Sequence, residues 1–205
     1  MNQFVINDIL KFHDKKKVEI RNFISACNVK DDECLFGELC FCICTPQSRA
    51  KNCREDINRL KADKKLFSAD KKEMMRYLKG VRFFPTKAGR IIEAREKFPE
   101  LKKMLNANSK ELREWLMENI KGLGQKESAH FMRNIGFKGL PIIDVHIQNF
   151  LRNTGCSSVE GNLTKKRYAE LEDKFLELAN KLKIPPEELD IAIWLYQSGE
   201  KEFYG

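Results

Sequence analysis

Apolar residues recur three or four positions apart through most of the chain, with charged residues between them, the spacing that puts one buried stripe on an α-helix. Glycine and proline are sparse, at 11 and 6 of 205 residues, while lysine, glutamate and leucine are common. The pattern predicts an all-α chain. Asp31 and Asp32 precede ECLFGELCFCI, Ser68 precedes a run to Leu78, Ser109 precedes KELREWLMENI, and Pro185 opens PEELDIAIWLY. Residues 49–63, 86–98, 125–136, 144–153 and 164–182 supply further helices, about ten in all, joined by short loops. No linker, repeat or low-complexity stretch separates them, so a compact two-layer arrangement of helices is expected.

Composition narrows the class. With 42% hydrophobic residues the chain buries a real core, which excludes a disordered tail protein. No window approaches the ~18 uncharged apolar residues of a membrane span, and the N-terminus MNQFVINDILKFHDKKK lacks the order of a secretory signal, so a cytoplasmic protein is expected. Lys plus Arg number 38 against 30 Asp plus Glu, a formal net charge of +8. That balance favours a polyanionic partner, nucleic acid first, although a lysine-rich surface also serves solubility alone. Seven cysteines, at 27, 34, 40, 42, 44, 53 and 156, contain no C-x-x-C and read as reduced core residues, and no iron-sulfur cluster or metal is expected.

The segment Ile120-Lys121-Gly122-Leu123-Gly124-Gln125-Lys126 ends one helix, turns through two glycines and restarts another at once. Glycines permit positive φ and close approach, and a restarting helix points free N–H groups and a positive dipole end outward, which suits a phosphate. A plain αα-turn reads the same way. Eighteen residues after Lys126, the run Gly139-Leu140-Pro141-Ile142-Ile143-Asp144-Val145-His146 delivers a carboxylate to the start of the next helix. Asp144 suits an N-cap with no further role. Together, Lys126 and Asp144 make a nucleophile and an electrostatic partner: an amine attacks carbon only when unprotonated, and a helix N-terminus disfavours a nearby ammonium.

The motifs I-K-G-L-G-Q-K and L-P-I-I-D-V-H resemble the helix-hairpin-helix, Gly/Pro-Asp superfamily of DNA glycosylases. The continuation K-E-S-A-H-F and the upstream E-L-C-F-C-I-C-T-P-Q-S are most similar to its archaeal-type 8-oxoguanine DNA glycosylase/AP lyase branch, over residues from about 30 to the helix holding Trp194. The resemblance implies that Lys126 attacks C1′ of the damaged nucleoside and forms a Schiff base, after which β-elimination cuts the strand. It implies that Asp144 stabilises charge developing on the sugar, and that Gly122 and Gly124 hold backbone phosphate, in some members with a monovalent cation at the hairpin. His146 is then a DNA-backbone or structural contact, and Arg49 a second backbone contact on a helix that also carries Lys51 and Arg54. His130, one turn after Lys126, reads as packing.

A base within a duplex must be extruded before such chemistry. Gln47, in Thr45-Pro46-Gln47-Ser48, aligns with the glutamine that relatives insert into the vacated space; a proline turn with Ser48 as N-cap fits the same residues. Phe83, Phe84 and Pro85 break two helices, and Trp194 lies in the last. Aromatic rings can sandwich a flipped base, although a Phe-Phe pair also suits a core. The branch implies a phenylalanine and a tryptophan as the stacking pair, for which Phe84 and Trp194 are the candidates. It also implies two packed helical subdomains with an active-site cleft between them, residues 32–143 with the hairpin near 113–136, and residues 1–31 with 144–205. Members commonly end in a lysine whose carboxylate lines the base pocket, whereas this sequence ends Phe203-Tyr204-Gly205.

The expectation is therefore a monomeric, nucleoid-associated base excision repair enzyme acting on double-stranded DNA that contains 8-oxoguanine, without a redox cofactor. Two alternatives are an endonuclease III-like enzyme for oxidised pyrimidines, against which the missing C-terminal cysteine quartet argues, and a non-catalytic helix-hairpin-helix module that only binds DNA.

Overall fold

A computed structural model describes residues 2–26, 31–157 and 163–199. The C-terminal Phe203-Tyr204-Gly205 and Cys27 fall outside the described residues. Those described form ten α-helices and no strand: α1 (Gln3–Ala26), α2 (Asp32–Cys44), α3 (Ala50–Ala62), α4 (Lys71–Tyr77), α5 (Phe84–Met104), α6 (Ser109–Asn119), α7 (Gln125–Asn134), α8 (Val145–Asn153), α9 (Lys165–Leu182) and α10 (Pro186–Ser198). None is long and apolar enough to cross a membrane.

Several helix starts differ from the sequence expectation, each for a visible reason. Asp70 rather than Ser68 caps α4, accepting from Glu73 N at 2.7 Å, while the Ser68 hydroxyl donates to the Lys64 carbonyl. Asn108 rather than Ser109 caps α6, accepting from Lys110 N and Glu111 N. Helix α5 does not stop at residue 98 but runs through Pro99 to Met104. Proline there removes only one helical donor, and Leu101, fully buried two residues on, holds the continuation in place. Helix α1 is an addition to the helices expected from the sequence: Asn2 precedes it and its side chain accepts from Phe4 N at 3.2 Å, and residues such as Ile6, Ile9 and Ile20 give it its buried stripe.

The chain divides into two compact units. One spans Val29–Ile135 and is built around α2, which is apolar nearly all round and buried from Leu35 to Cys44 except at Glu38. Cys40, Cys42, Cys44 and Cys53 are buried within it as small apolar side chains. Burial pushes the Cys53 thiol up to about 11, so it stays protonated at neutral pH. Phe36 stacks on Phe67 at 4.9 Å and meets Phe98 edge-on at 5.1 Å, closing the end of this core.

The other unit, Met1–Asn28 with Gly136–Phe203, contains α1, α8, α9 and α10. Ile143, Ile147, Phe150, Tyr168, Phe175 and Ile193 belong to its main core, against which Ile6 and Ile9 of α1 pack. Buried His13 and exposed Arg21 fasten α1 to α10 through Glu188: His13 Nε2 lies 3.0 Å from one Glu188 oxygen, and Arg21 Nε donates to the other at 2.8 Å.

Candidate active site

Helices α6 and α7 are joined by the five residues Ile120–Gly124, the tight hairpin expected from the glycines. Gly122 has φ +100, a conformation that favours glycine, and a Cβ there would lie 2.9 Å from Arg90 Cδ and Nη1. Gly124 does not need positive φ: its φ is −98 and it stands as the N-cap of α7, where its N–H donates to Glu127 Oε2 at 3.3 Å. Lys126 is the second residue of α7. Its Nζ lies 3.5 Å from Glu127 Oε1, and its side chain is about one-third exposed, at 32%. The position combines an amine-bearing side chain with a helix start whose first-turn N–H groups have no intrahelical acceptor.

Helix α7 is anchored by Glu38, Asn134 and Arg133, which the sequence did not single out, together with Arg54. Glu38 on α2 accepts from Asn134 Nδ2 at 2.7 Å and pairs with Arg54 of α3 at 2.9 Å, while Arg133 donates to Asn134 Oδ1. The Arg54 guanidinium also lies 3.8 Å over the Phe41 ring, which His130 meets edge-on at 5.5 Å. His130 packs, as expected. Burial first, then the cations Arg133, Lys126 and Arg54, push its imidazole well below the usual histidine range, so it is neutral at physiological pH.

In the same unit, Gln47 is exposed with φ +57, a left-handed backbone rare for a side-chain-bearing residue. Ser48 is not the cap of α3, because Arg49 occupies that position without a side-chain cap bond. The Ser48 hydroxyl instead accepts from Arg82 N at 2.9 Å. Arg49 is exposed. Phe84 is the first residue of α5 and half-buried; Phe83 before it is 52% exposed, also left-handed at φ +59, with the Arg82 guanidinium 4.8 Å from its ring.

In the other unit, Asp144 caps α8, accepting from Ile147 N through Oδ1 at 3.0 Å; among the described residues Oδ2 has no hydrogen-bond partner. One oxygen is structural and the other is available. The loop leading to it is held by side chains far along the chain. Glu187 accepts from Gly139 N, buried Asp190 accepts from Ile142 N at 2.9 Å, and the Tyr168 hydroxyl accepts from Ile143 N. His146, the second residue of α8, is half-buried. Trp194 is half-buried on α10 beside Ile191, Ala192 and Leu195. Among the described residues no group of three or more His, Cys, Asp or Glu side chains is arranged to hold a metal ion.

A family model described as 8-oxoguanine DNA glycosylase matches residues 16–184. The chain is 35% identical over 171 residues to an 8-oxoguanine DNA glycosylase/AP lyase of Fusobacterium nucleatum, covering 79% of each chain. It is 33% identical to one of Korarchaeum cryptofilum, covering 96% of each. Among solved structures, it is similar to the Methanocaldococcus jannaschii 8-oxoguanine glycosylase/lyase in complex with a 15mer DNA containing 8-oxoguanine, with TM-score 0.84, 29% identity, and coverage of 95% of this chain and 99% of that one.

Proposed function

Since the chain belongs to the 8-oxoguanine DNA glycosylase family, we propose that it removes 8-oxoguanine from double-stranded DNA and cuts the resulting abasic strand. The observation that carries this reading is Lys126 on the first turn of α7, directly after the Gly122 turn. The Lys126 amine attacks C1′, the N-glycosidic bond breaks, and its electron pair leaves with the base, which takes up a proton. Opening of the sugar ring gives an iminium between Nζ and C1′. Loss of a C2′ proton then expels the 3′ phosphate by β-elimination, and water releases the lysine.

Asp144 serves the same reaction through its available oxygen, offsetting positive charge on the sugar as the base departs. The hairpin N–H groups hold a backbone phosphate, helped by Arg49 and His146, while carbonyls of the hairpin are the kind of donor a monovalent cation uses. Gln47 fills the gap left by the extruded base, for which Phe84 and Trp194 supply the stacking rings. The enzyme works as a monomer in the cytoplasm, on nucleoid DNA. A panel of duplexes, each bearing one defined lesion, tests the substrate: 8-oxoguanine should be excised and its strand nicked, and preferential release of an oxidised pyrimidine would overturn the reading.

A further inference from the structure

Lys87 is a buried lysine, 2% exposed, on the first turn of α5. Its ammonium donates to the Cys44 carbonyl at 2.6 Å, to the Pro46 carbonyl at 2.6 Å and to the Ser48 hydroxyl at 3.0 Å. Three donors meet three acceptors, so the charge is fully used inside the protein. Burial alone would push this ammonium toward losing its proton, and its pKa is lowered accordingly. Such a group is costly to bury and is not needed to fill space, since methionine or leucine would do that.

What it holds is specific. Cys44 ends α2, and Pro46 and Ser48 flank Gln47, so the ammonium grips the loop on both sides of that left-handed residue. Ser48 extends the grip, because its hydroxyl also accepts from Arg82 N, next to left-handed Phe83. Phe83 stands at the N-cap of the helix that carries Lys87, its carbonyl accepting from Lys87 N at 3.1 Å. The preceding turn is fixed to α3, where buried Asp56 accepts from Gly80 N and Asn52 donates to the Gly80 carbonyl. Four residues of this chain other than glycine have positive φ among those described, and two of them, both exposed, lie on the two loops joined here. A left-handed conformation of a side-chain-bearing residue persists only where its surroundings over-determine it, and here those surroundings are Lys87 and Ser48.

We propose that Lys87 is a positioning residue for base extrusion, locking the Gln47 loop and the Phe83 turn into one rigid element that presents both side chains to the distorted duplex. The inference rests on the proposed glycosylase reading, and it separates two steps of that reading. Taking an intact base out of the stack needs the element; acting on a site that has already lost its base needs it far less.

The test compares wild type with Lys87→Met on two duplexes, one containing 8-oxoguanine and one containing a preformed abasic site. A misplaced positioning element costs on the order of 10²-fold. Excision of 8-oxoguanine in single turnover should fall by that order, while strand cutting at the abasic site changes less than about threefold, an effect below 1 kcal/mol. Ser48→Ala, which breaks the link to Arg82 but leaves Lys87 two carbonyl acceptors, should give the same asymmetry at smaller size and covers the case in which Lys87→Met does not fold. 2-Aminopurine beside the lesion reports unstacking without cleavage and should brighten with wild type and less with either variant. Equal loss on both duplexes, or unchanged excision and fluorescence in Ser48→Ala, overturns the proposal. A wild type that brightens 2-aminopurine but cuts neither duplex contradicts the glycosylase chemistry and leaves the positioning role standing on the fluorescence difference.

Discussion

Asp144 has one oxygen committed to the Ile147 N–H and the other uncommitted among the described residues, so its two roles can be separated by a single substitution. Asparagine caps a helix about as well as aspartate but carries no charge. Asp144→Asn should therefore unfold within about 1 kcal/mol of wild type and release 8-oxoguanine at least about 10²-fold more slowly; excision at the wild-type rate would reduce Asp144 to a cap. His130 makes a separate prediction about pH. Its folded-state pKa lies well below the 6.5 of an unperturbed histidine, so below about 6.5 the unfolded chain takes up a proton that the native protein refuses. Stability should be unaffected by this residue above that pH, then fall by up to about 1.4 kcal/mol for each further pH unit until the folded-state value is reached. Denaturant unfolding of wild type and His130→Phe at pH 7.5 and 5 checks it; the variant should lose less on acidification, and an equal loss would contradict the burial argument.

At the scale of elements, α7 is the helix whose placement matters most, and its far end rests on Glu38. Glu38→Ala should cost about 2–4 kcal/mol, because Arg54 and Asn134 lose a partly buried acceptor together. A loss below 0.5 kcal/mol in denaturant unfolding would show the network to be incidental. These anchors also explain what a one-dimensional reading reaches. The Gly122 hairpin, Lys126 after it, and the caps Asp31, Asp144 and Thr164 are local, their partners within a few residues, and they are legible from spacing. Glu38 meets Asn134 across 96 residues, Lys87 meets Cys44 across 43, and Asp190 meets Ile142 across 48. No periodicity announces such pairs, and a lysine or aspartate on a helix reads as solvated until the fold buries it. Helix α1 is hard to read for another reason: the run Asp14-Lys15-Lys16-Lys17 interrupts its apolar stripe between Ile9 and Ile20, although Asn2 supplies a capping side chain.

For the whole molecule, Lys126 belongs to the unit Val29–Ile135 and Asp144 to the unit containing Gly136–Phe203. The all-helical fold and family membership rest on the full length of the match, whereas the proposed mechanism rests on a single amine. A net charge of +8 and a glycine hairpin would serve a DNA-binding module equally well, so binding cannot decide between an enzyme and such a module. Covalent chemistry can. Borohydride reduces an iminium to a stable amine, and mass mapping of the product identifies the nitrogen that attacked. Incubated with duplex containing 8-oxoguanine and borohydride, the wild type should become joined to DNA through Lys126, and Lys126→Gln should retain DNA binding while giving neither adduct nor nick. An adduct on another residue, or strand cutting by Lys126→Gln at the wild-type rate, would contradict the account.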